Sequence, residues 1–300
     1  MKVCVMMSTY NGEKYIEEQI VSNFSQKGVE VDLYVRDDGS KDGTFKKLEE
    51  LKNNYSNMSI TKAPNVGYAK SFFSLLAGVP NDYKYYAFSD QDDVWKPNKL
   101  LDAVKVLEKQ ERPALYSCNL ELVDQDLKPL EIMEPPSEAD FQKGRYLIDR
   151  YSYGCTMVFN SQLRDIAIKH IPTLGVSHDN WLGLIAIFCG EFIFDEKANI
   201  LYRQHENNVT GGKSSVVESW KRRIKNINRI KDESKSALAS ELLKHFEIQF
   251  DEETKDLLYM VAEYKSNFKG KMKFFFDKRT VRRSREKNMI FRMMILLSIA

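Results

Sequence analysis

The apolar positions of this chain fall into short blocks of two kinds. Val3 to Met7 is a continuous apolar run. Tyr15, Ile16, Ile20, Val21 and Phe24 then recur at helical spacing, and Val29 to Val35 forms a second apolar strand. The alternation repeats. Phe45, Leu48 and Leu51 mark a helix, Met58 to Thr61 a third strand, Tyr68 to Leu76 a helix and Tyr85 to Phe88 a fourth strand. Lys96 to Lys109 follows as a helix with Leu100, Val104 and Leu107 inward. Strands alternating with helices predict an α/β fold with a mainly parallel sheet covered on both faces. Ala198 to Tyr202 reads as a late strand, and from residue 216 the pattern becomes helical only.

In such sheets ligands bind beyond the carboxyl ends of the strands, so what each strand carries to its end is informative. Strand one ends in Ser8-Thr9-Tyr10-Asn11, strand two in Asp37-Asp38, and strand four in Ser89-Asp90-Gln91-Asp92-Asp93. Carboxylates gathered in one crevice repel each other unless a cation or a hydrogen-bonding ligand lies between them. Hard Mg²⁺ or Mn²⁺, which takes oxygen ligands and binds through one or two carboxylates plus substrate phosphates, suits Asp90-x-Asp92.

Composition narrows the class further. At 300 residues, 43% hydrophobic, with 14 Gly and 8 Pro, the chain is neither collagen-like, low-complexity nor disordered. Cys4, Cys118, Cys155 and Cys189 are far apart and form no C-x-x-C pair, which argues against a disulfide framework or zinc site and for a reducing, cytoplasmic compartment. The N-terminal apolar run is too short for a signal-peptide core. The net charge of +2 is unevenly distributed: residues 1–220 carry 25 Lys+Arg against 32 Asp+Glu, whereas residues 221–300 carry 20 against 11.

The ordered set Ser8-Thr9-Tyr10-Asn11-Gly12, Asp37-Asp38-Gly39-Ser40 and Ser89-Asp90-Gln91-Asp92-Asp93-Val94-Trp95 resembles family 2 of the inverting glycosyltransferases, which have the GT-A fold. His178-Asp179-Asn180-Trp181 and Tyr202-Arg203-Gln204-His205 are similar to the bacterial rhamnosyltransferase-like members. The resemblance spans residues 3 to about 211 and implies a GT-A domain over 1–215. Its nucleotide-binding half would be about 1–110 and its acceptor half about 111–215, with a helical, basic region over 216–300.

The resemblance also implies roles. Ser8, Thr9 and Tyr10 would shape a base pocket, with Asp38 accepting a hydrogen bond from the nucleobase; the local alternative is a turn in which Gly39 supplies a positive φ. Asp92 would be the direct metal ligand, Asp90 would reach the metal or ribose, and His205 would complete the metal site. Lys70 and Arg203 would meet the pyrophosphate, against the alternative of a lysine on a solvated helix face. Asp93 reads equally as a cap for a helix beginning near Lys96. Asp179 would be the base that deprotonates the acceptor hydroxyl, its alternative being the N-cap of the following helix. Beside it His178 stands where relatives carry Glu, and either orients the base or fills space. Tyr153-Gly154-Cys155 would form an acceptor wall, and residues 127–144, with Pro129, Pro135 and Pro136, read as a loop over the cleft.

The implied reaction moves a sugar, rhamnose from dTDP-rhamnose, to a lipid-linked saccharide acceptor. A UDP-hexose or UDP-N-acetylhexosamine donor, or a non-catalytic scaffold, are the alternatives. In residues 265–300, 11 basic residues face only Asp277 and Glu286 and interleave with Phe and Met, as in an element lying on an anionic membrane surface. The final apolar run is short of the ~20 residues that span a bilayer. A homodimer surface is the alternative, and no nucleic-acid module accompanies the charges.

Overall fold

The computed structural model describes residues 1–151, 153–205 and 234–300. Residues 207–212, whose polar and paired glycine residues read in the sequence as a segment closing over a nucleotide diphosphate, lie outside the described residues. The described chain runs β1 (Lys2–Thr9), α1 (Ile16–Phe24), β2 (Glu30–Asp37), α2 (Thr44–Lys52), β3 (Met58–Lys62), α3 (Tyr68–Gly78) and β4 (Tyr85–Ser89). There follow β5 (Val94–Trp95), α4 (Lys99–Leu107), β6 (Ala114–Val123), β7 (Pro129–Ile132), α5 (Lys143–Ile148), β8 (Met157–Asn160), α6 (Ser161–Lys169), α7 (His178–Cys189) and β9 (Glu191–Arg203). Four helices complete it: α8 (Lys235–Phe246), α9 (Glu252–Glu263), α10 (Phe268–Phe276) and α11 (Arg285–Leu296).

The strands form one sheet in the order β3-β2-β1-β4-β8-β6-β9-β5, with β7 on β6. β1 pairs in parallel with β2 and β4, β2 with β3, and β6 with β9, while β8 runs antiparallel between β4 and β6. Six strands, β1, β2, β3, β4, β6 and β9, therefore deliver their carboxyl ends to one edge. Both faces are buried, as a parallel sheet requires. Val3, Val5 and Met7 of β1 pack with Ile16, Ile20, Leu48 and Leu100 on one face; Cys4 and Met6 join Phe72, Phe88 and Phe159 on the other.

Two boundaries differ from the sequence pattern. The helix expected from Lys96 begins at Lys99, because Val94 and Trp95 pair with β9 and the Lys96 N–H donates to Asn199 O, holding the chain extended to that point. Asn98, not Asp93, precedes the helix. Residues 127–144 do not cover the cleft: they form β7 against β6 and a helical turn, Glu138–Phe141, capped by Ser137 and Asp140.

The C-terminal helices are locally well specified. Ser234, Asp251, Asn267 and Ser284 each accept a backbone N–H of the first turn they precede. Their apolar faces do not form a separate core. Leu242, Phe246, Leu258, Tyr264, Phe274, Phe291 and Ile295 belong to the same cluster as Trp181 and Phe88. Phe246 packs on Trp181 and His170. Phe246→Ala is therefore expected to cost about 3–5 kcal/mol while unfolding stays a single transition. Urea denaturation followed by far-UV and near-UV circular dichroism checks this: two separated transitions would show the helices to be an independent unit.

Candidate active site

The converging strand ends border a cleft of about 1570 Å³. Ser8, Tyr10, Asp38, Asp90, Gln91, Asp92, Asp124 and His205 line it from the sheet edge, and His178 and Asp179 from the start of α7. Gln91 joins two of these tips, accepting from the Tyr10 N–H at 2.8 Å and donating to its carbonyl at 3.1 Å.

The adjacent acids of β2 divide the work. Asp37 is fully buried and accepts from Thr9 Oγ1 at 3.1 Å and from the Ser40 N–H at 3.1 Å, so it closes the turn and fastens β1 to β2. Gly39, at φ +80°, faces Asn65 and Ala63 backbone too closely for a Cβ to fit comfortably. Asp38 faces the cleft. It pairs with Arg36 and accepts the N–H groups of Val66 and Gly67 at 3.0 and 2.9 Å, which clamps the loop entering α3. These contacts account for three of the roughly four acceptor positions of a carboxylate, leaving room for a ligand N–H.

At the end of β4, His205 Nε2 lies 3.0 Å from Asp92 Oδ2. Burial, then the charges of Asp92 and Asp179, push Asp90 up to about 7. Asp90 and Asp179 thus sense each other, placing the α7 carboxylate beside the acidic tip. A second grouping shares Asp90: ligand atoms of Asp90, Asp93 and Cys155 lie within 4.8 Å of one another. Asp93 and Cys155 are buried and do not line the cleft. Asp93 Oδ1 accepts the Arg203 N–H at 3.1 Å, its Oδ2 has no hydrogen-bond partner, and burial holds both Asp93 and the Cys155 thiol well above their ordinary values. A neutral thiol is a poor ligand, whereas Asp92 and His205, in contact on the cleft side, offer carboxylate and imidazole donors of the types a divalent cation takes.

Arg203 is where the structure departs most from expectation. Its side chain is 2% exposed and lies outside the cleft lining. Nε donates to the Asp92 carbonyl at 2.8 Å, Nη1 to the Gln125 carbonyl and Nη2 to Glu18, while the guanidinium stacks 4.4 Å from the Tyr15 ring centroid. With these donors directed into the protein, Arg203 braces the Asp92 loop from beneath, in place of the exposed position expected of a phosphate contact. Lys70 is likewise outside the lining, exposed on α3, and Thr9 is buried beneath the cleft floor.

α7 starts one turn earlier than its apolar run suggests, because Ser177 precedes it. Asp179 is therefore in the first turn, not the capping position, with Oδ1 accepting the Asn180 N–H at 2.7 Å. His178 is 4% exposed and stacks at 3.9 Å on Phe72, with Phe88 edge-on at 4.7 Å. Burial pushes it down to about 4. A Cβ on Gly154 would lie 2.7 Å from His178 Nε2, so the glycine lets the 153–154 wall close on α7. Sequence reasoning missed four contributors: Gln91 and Asp124 at the strand ends, and Lys235 and Arg282, which reach the cleft from the C-terminal region. For the last pair no local signal exists, since their position depends on how the helices fold back.

A mainly parallel sheet whose fourth strand ends in Asp90 and Asp92, facing a carboxylate on a helix across the cleft, has the arrangement of a GT-A glycosyltransferase. The family model described as Glycosyl transferase family 2 matches residues 4–167, and the chain belongs to that family. It is 32% identical over 228 residues to the dTDP-rhamnosyl transferase RfbG of Shigella flexneri, covering 72% of this chain and 77% of that protein. An uncharacterized glycosyltransferase of Rickettsia prowazekii is 26% identical over 224 residues, 73% of this chain and 69% of that one. Among solved structures, S. aureus TarS 1–349 in complex with UDP-GlcNAc superposes with a TM-score of 0.62 at 16% identity, over 100% of this chain and 82% of that one. The Pyrobaculum calidifontis mannosyltransferase PcManGT, in complex with GDP-Man and Mn²⁺, superposes at 0.52 and 14% identity, over 99% and 80%. These two share the fold.

The buried imidazole gives a pH test. His178 ionises near 6.5 when unfolded and near 4 when folded, so the unfolded chain binds the extra proton between those values. Stability then falls as pH drops from about 6.5 toward 4, by up to roughly 1.4 kcal/mol per pH unit. His178→Phe keeps the stack and should flatten that part of the profile; denaturant titrations at pH 7 and 4.5 measure it, and an unaltered slope would place His178 in a wetter setting.

Proposed function

We propose that this chain is a metal-dependent inverting glycosyltransferase that moves rhamnose from dTDP-rhamnose to a lipid-linked saccharide acceptor in cell-surface polysaccharide synthesis, at the cytoplasmic face of the membrane. The chemistry is carried by Asp179 standing in the same cleft as Asp90 and Asp92 and within electrostatic reach of Asp90. The donor is supported by the similarity to RfbG along most of both chains.

Asp38 takes the nucleobase N–H, with Tyr10 and Ser8 along the base. Asp90, Asp92 and His205 would hold Mg²⁺ or Mn²⁺, which when bound supplies a Lewis acid that neutralises charge on the leaving nucleoside diphosphate. Asp179 is oriented through Oδ1 by the Asn180 N–H, and its carboxylate accepts the proton of the acceptor hydroxyl as that oxygen attacks from the face opposite the leaving group. A UDP-N-acetylhexosamine donor is the second reading, favoured by the UDP-GlcNAc complex of TarS. Release of dTDP or UDP from a panel of nucleotide sugars decides between them. The presence of both acidic groups speaks against a non-catalytic scaffold.

Membrane binding rests on the C-terminal helices. Lys273, Arg279, Arg282, Arg283 and Arg292 are occupied by Asp256, Asp277, Asp149, Asp140 and the Phe274 and Asp277 carbonyls, which leaves Lys265, Lys269, Lys271, Lys278, Arg285 and Lys287 of the basic residues in 265–300. Phe268 and Phe276 are each 73% exposed, and Met289, Met293 and Leu297 form an exposed stripe along and just beyond α11. No described helix is long and apolar enough to cross a membrane. Apolar side chains flanked by Lys269, Lys271 and Lys278 suit an anionic lipid surface. Met293→Asp and Phe276→Ser should lower co-sedimentation with anionic vesicles while leaving stability nearly unchanged; unaltered sedimentation, or a monomerised dimer, reassigns the stripe.

Asp92→Asn, or EDTA, should abolish transfer with the fold intact, and full activity in either would remove the metal from the reaction. Asp179→Asn should keep nucleotide binding and lower kcat by at least roughly 10², the ordinary contribution of a general base; near-normal turnover would reassign Asp179 to helix stabilisation.

A further inference from the structure

Of the four histidines, two meet outside the cleft. His170 follows α6 and His245 lies in the last turn of α8, so the pair joins the helices packed on the sheet to the C-terminal region. Their Nδ1 atoms are 3.2 Å apart, and both residues are partly exposed, so the gap between them is open to an ion from solution.

The surroundings orient both rings. The Trp181 indole N–H donates to the His170 carbonyl at 2.8 Å, and Phe246 stands edge-on to the His170 ring with centroids 4.8 Å apart. Glu241, one helical turn before His245, is buried, and its Oε1 lies 3.0 Å from His245 Nε2. A carboxylate only accepts, so that contact puts a proton on Nε2, and in the neutral ring the Nδ1 lone pair of His245 faces His170. A carboxylate behind one imidazole nitrogen, with the other presenting its lone pair, is the support that metal-binding histidines carry.

The spacing separates a shared ion from a shared proton. A straight N–H···N bond of this length would put the ring centroids about 5.5 Å apart. They stand at 4.8 Å, so the rings are bent out of line. Two imidazoles holding one tetrahedral ion at about 2.05 Å would have their nitrogens roughly 3.3 Å and their centroids roughly 5 Å apart, close to what the pair shows. The charged neighbours are Lys169, Lys244 and Glu241, and Lys244 already lies 3.4 Å from the Glu241 carboxylate. Net charge therefore does not draw a cation here. Nitrogen donors do, and imidazole suits Zn²⁺, Cu²⁺ or Ni²⁺ where carboxylate and water suit Mg²⁺ or Mn²⁺.

We propose that His170 and His245 bind a divalent transition metal of the Zn²⁺ class, with Glu241 orienting His245 from behind. Two nitrogens supply half of a tetrahedral set and water the rest, so the ion is held reversibly. It clasps the end of α6 to α8 and fastens the C-terminal helices to the helices behind the cleft. The site stands apart from the sugar-transfer reading and survives its failure.

Zinc chloride is titrated by calorimetry into the metal-stripped full chain carrying Asp92→Asn, which removes the cleft carboxylate beside His205, at about pH 7.5, where free imidazole is mostly neutral. One equivalent should bind. His170→Gln or His245→Gln, added to that parent, should weaken binding at least about tenfold, and Glu241→Gln by about tenfold, the ordinary worth of an orienting partner. Zn²⁺ should raise the melting temperature of the parent by binding its folded state, and of neither histidine variant, while Mg²⁺ should leave all of them unaltered. Absence of binding in the parent, or equal binding in the parent and both histidine variants, overturns the proposal and leaves the pair a hydrogen-bonded joint. Circular dichroism checks each fold; should one histidine variant fail to fold, the other and Glu241→Gln decide.

Discussion

The site depends on a guanidinium that never reaches it. Asp90, Asp92 and Asp93 follow β4 without interruption, and left to themselves such neighbours would splay toward water. Arg203 prevents this. Its fork takes the Asp92 carbonyl from below, its own N–H takes Asp93, and its other donors reach Gln125 and Glu18. Because β9 runs parallel to β6, Arg203 arrives at the same edge as β4, and two residues later His205 meets Asp92. One buried cation thus sets the position of both expected ligands. A lysine would carry the charge but not the fork, and only the fork holds several carbonyls at fixed angles.

Much of this was legible beforehand, and the reason is local. The four first strands and three first helices announce themselves through short-range periodicity, and the acidic tips follow from where strands end. Asp38 and Asp92 reach the cleft for that reason, and Asp179 reaches it from the start of α7. What failed depended on contacts distant in sequence. Arg203 and a phosphate-binding arginine look alike in a string; only the pairing of β9 with β5 and β6 turns its side chain inward. Asp93 looked like a helix cap because Pro97 follows, but that same strand pairing keeps the chain extended through Lys96. Asp179 was displaced from the capping position by Ser177, whose preference for that position is as good as any aspartate's.

The C-terminal helices show the same limit in their charges. Counted along the chain they are a basic tail; placed in space they divide into two populations. Arg279, Arg282, Arg283 and Arg292 are absorbed by carboxylates and carbonyls that fasten the helices to α5 and to each other. The remaining lysines sit beside exposed Phe and Met. Most of the internal fastening is done by guanidinium groups with planar forks, joined by Lys273 on Asp256, while most of the groups left outside are compact, strongly hydrated ammonium groups.

This division bears on how an acceptor would approach. The C-terminal region that carries the exposed apolar stripe also brings Lys235 and Arg282 to the cleft, and its helices share one hydrophobic cluster with α7, which bears Asp179. A surface bound at the stripe would therefore be held at a fixed separation from Asp179 by the packing around Phe246, Phe274 and Phe291.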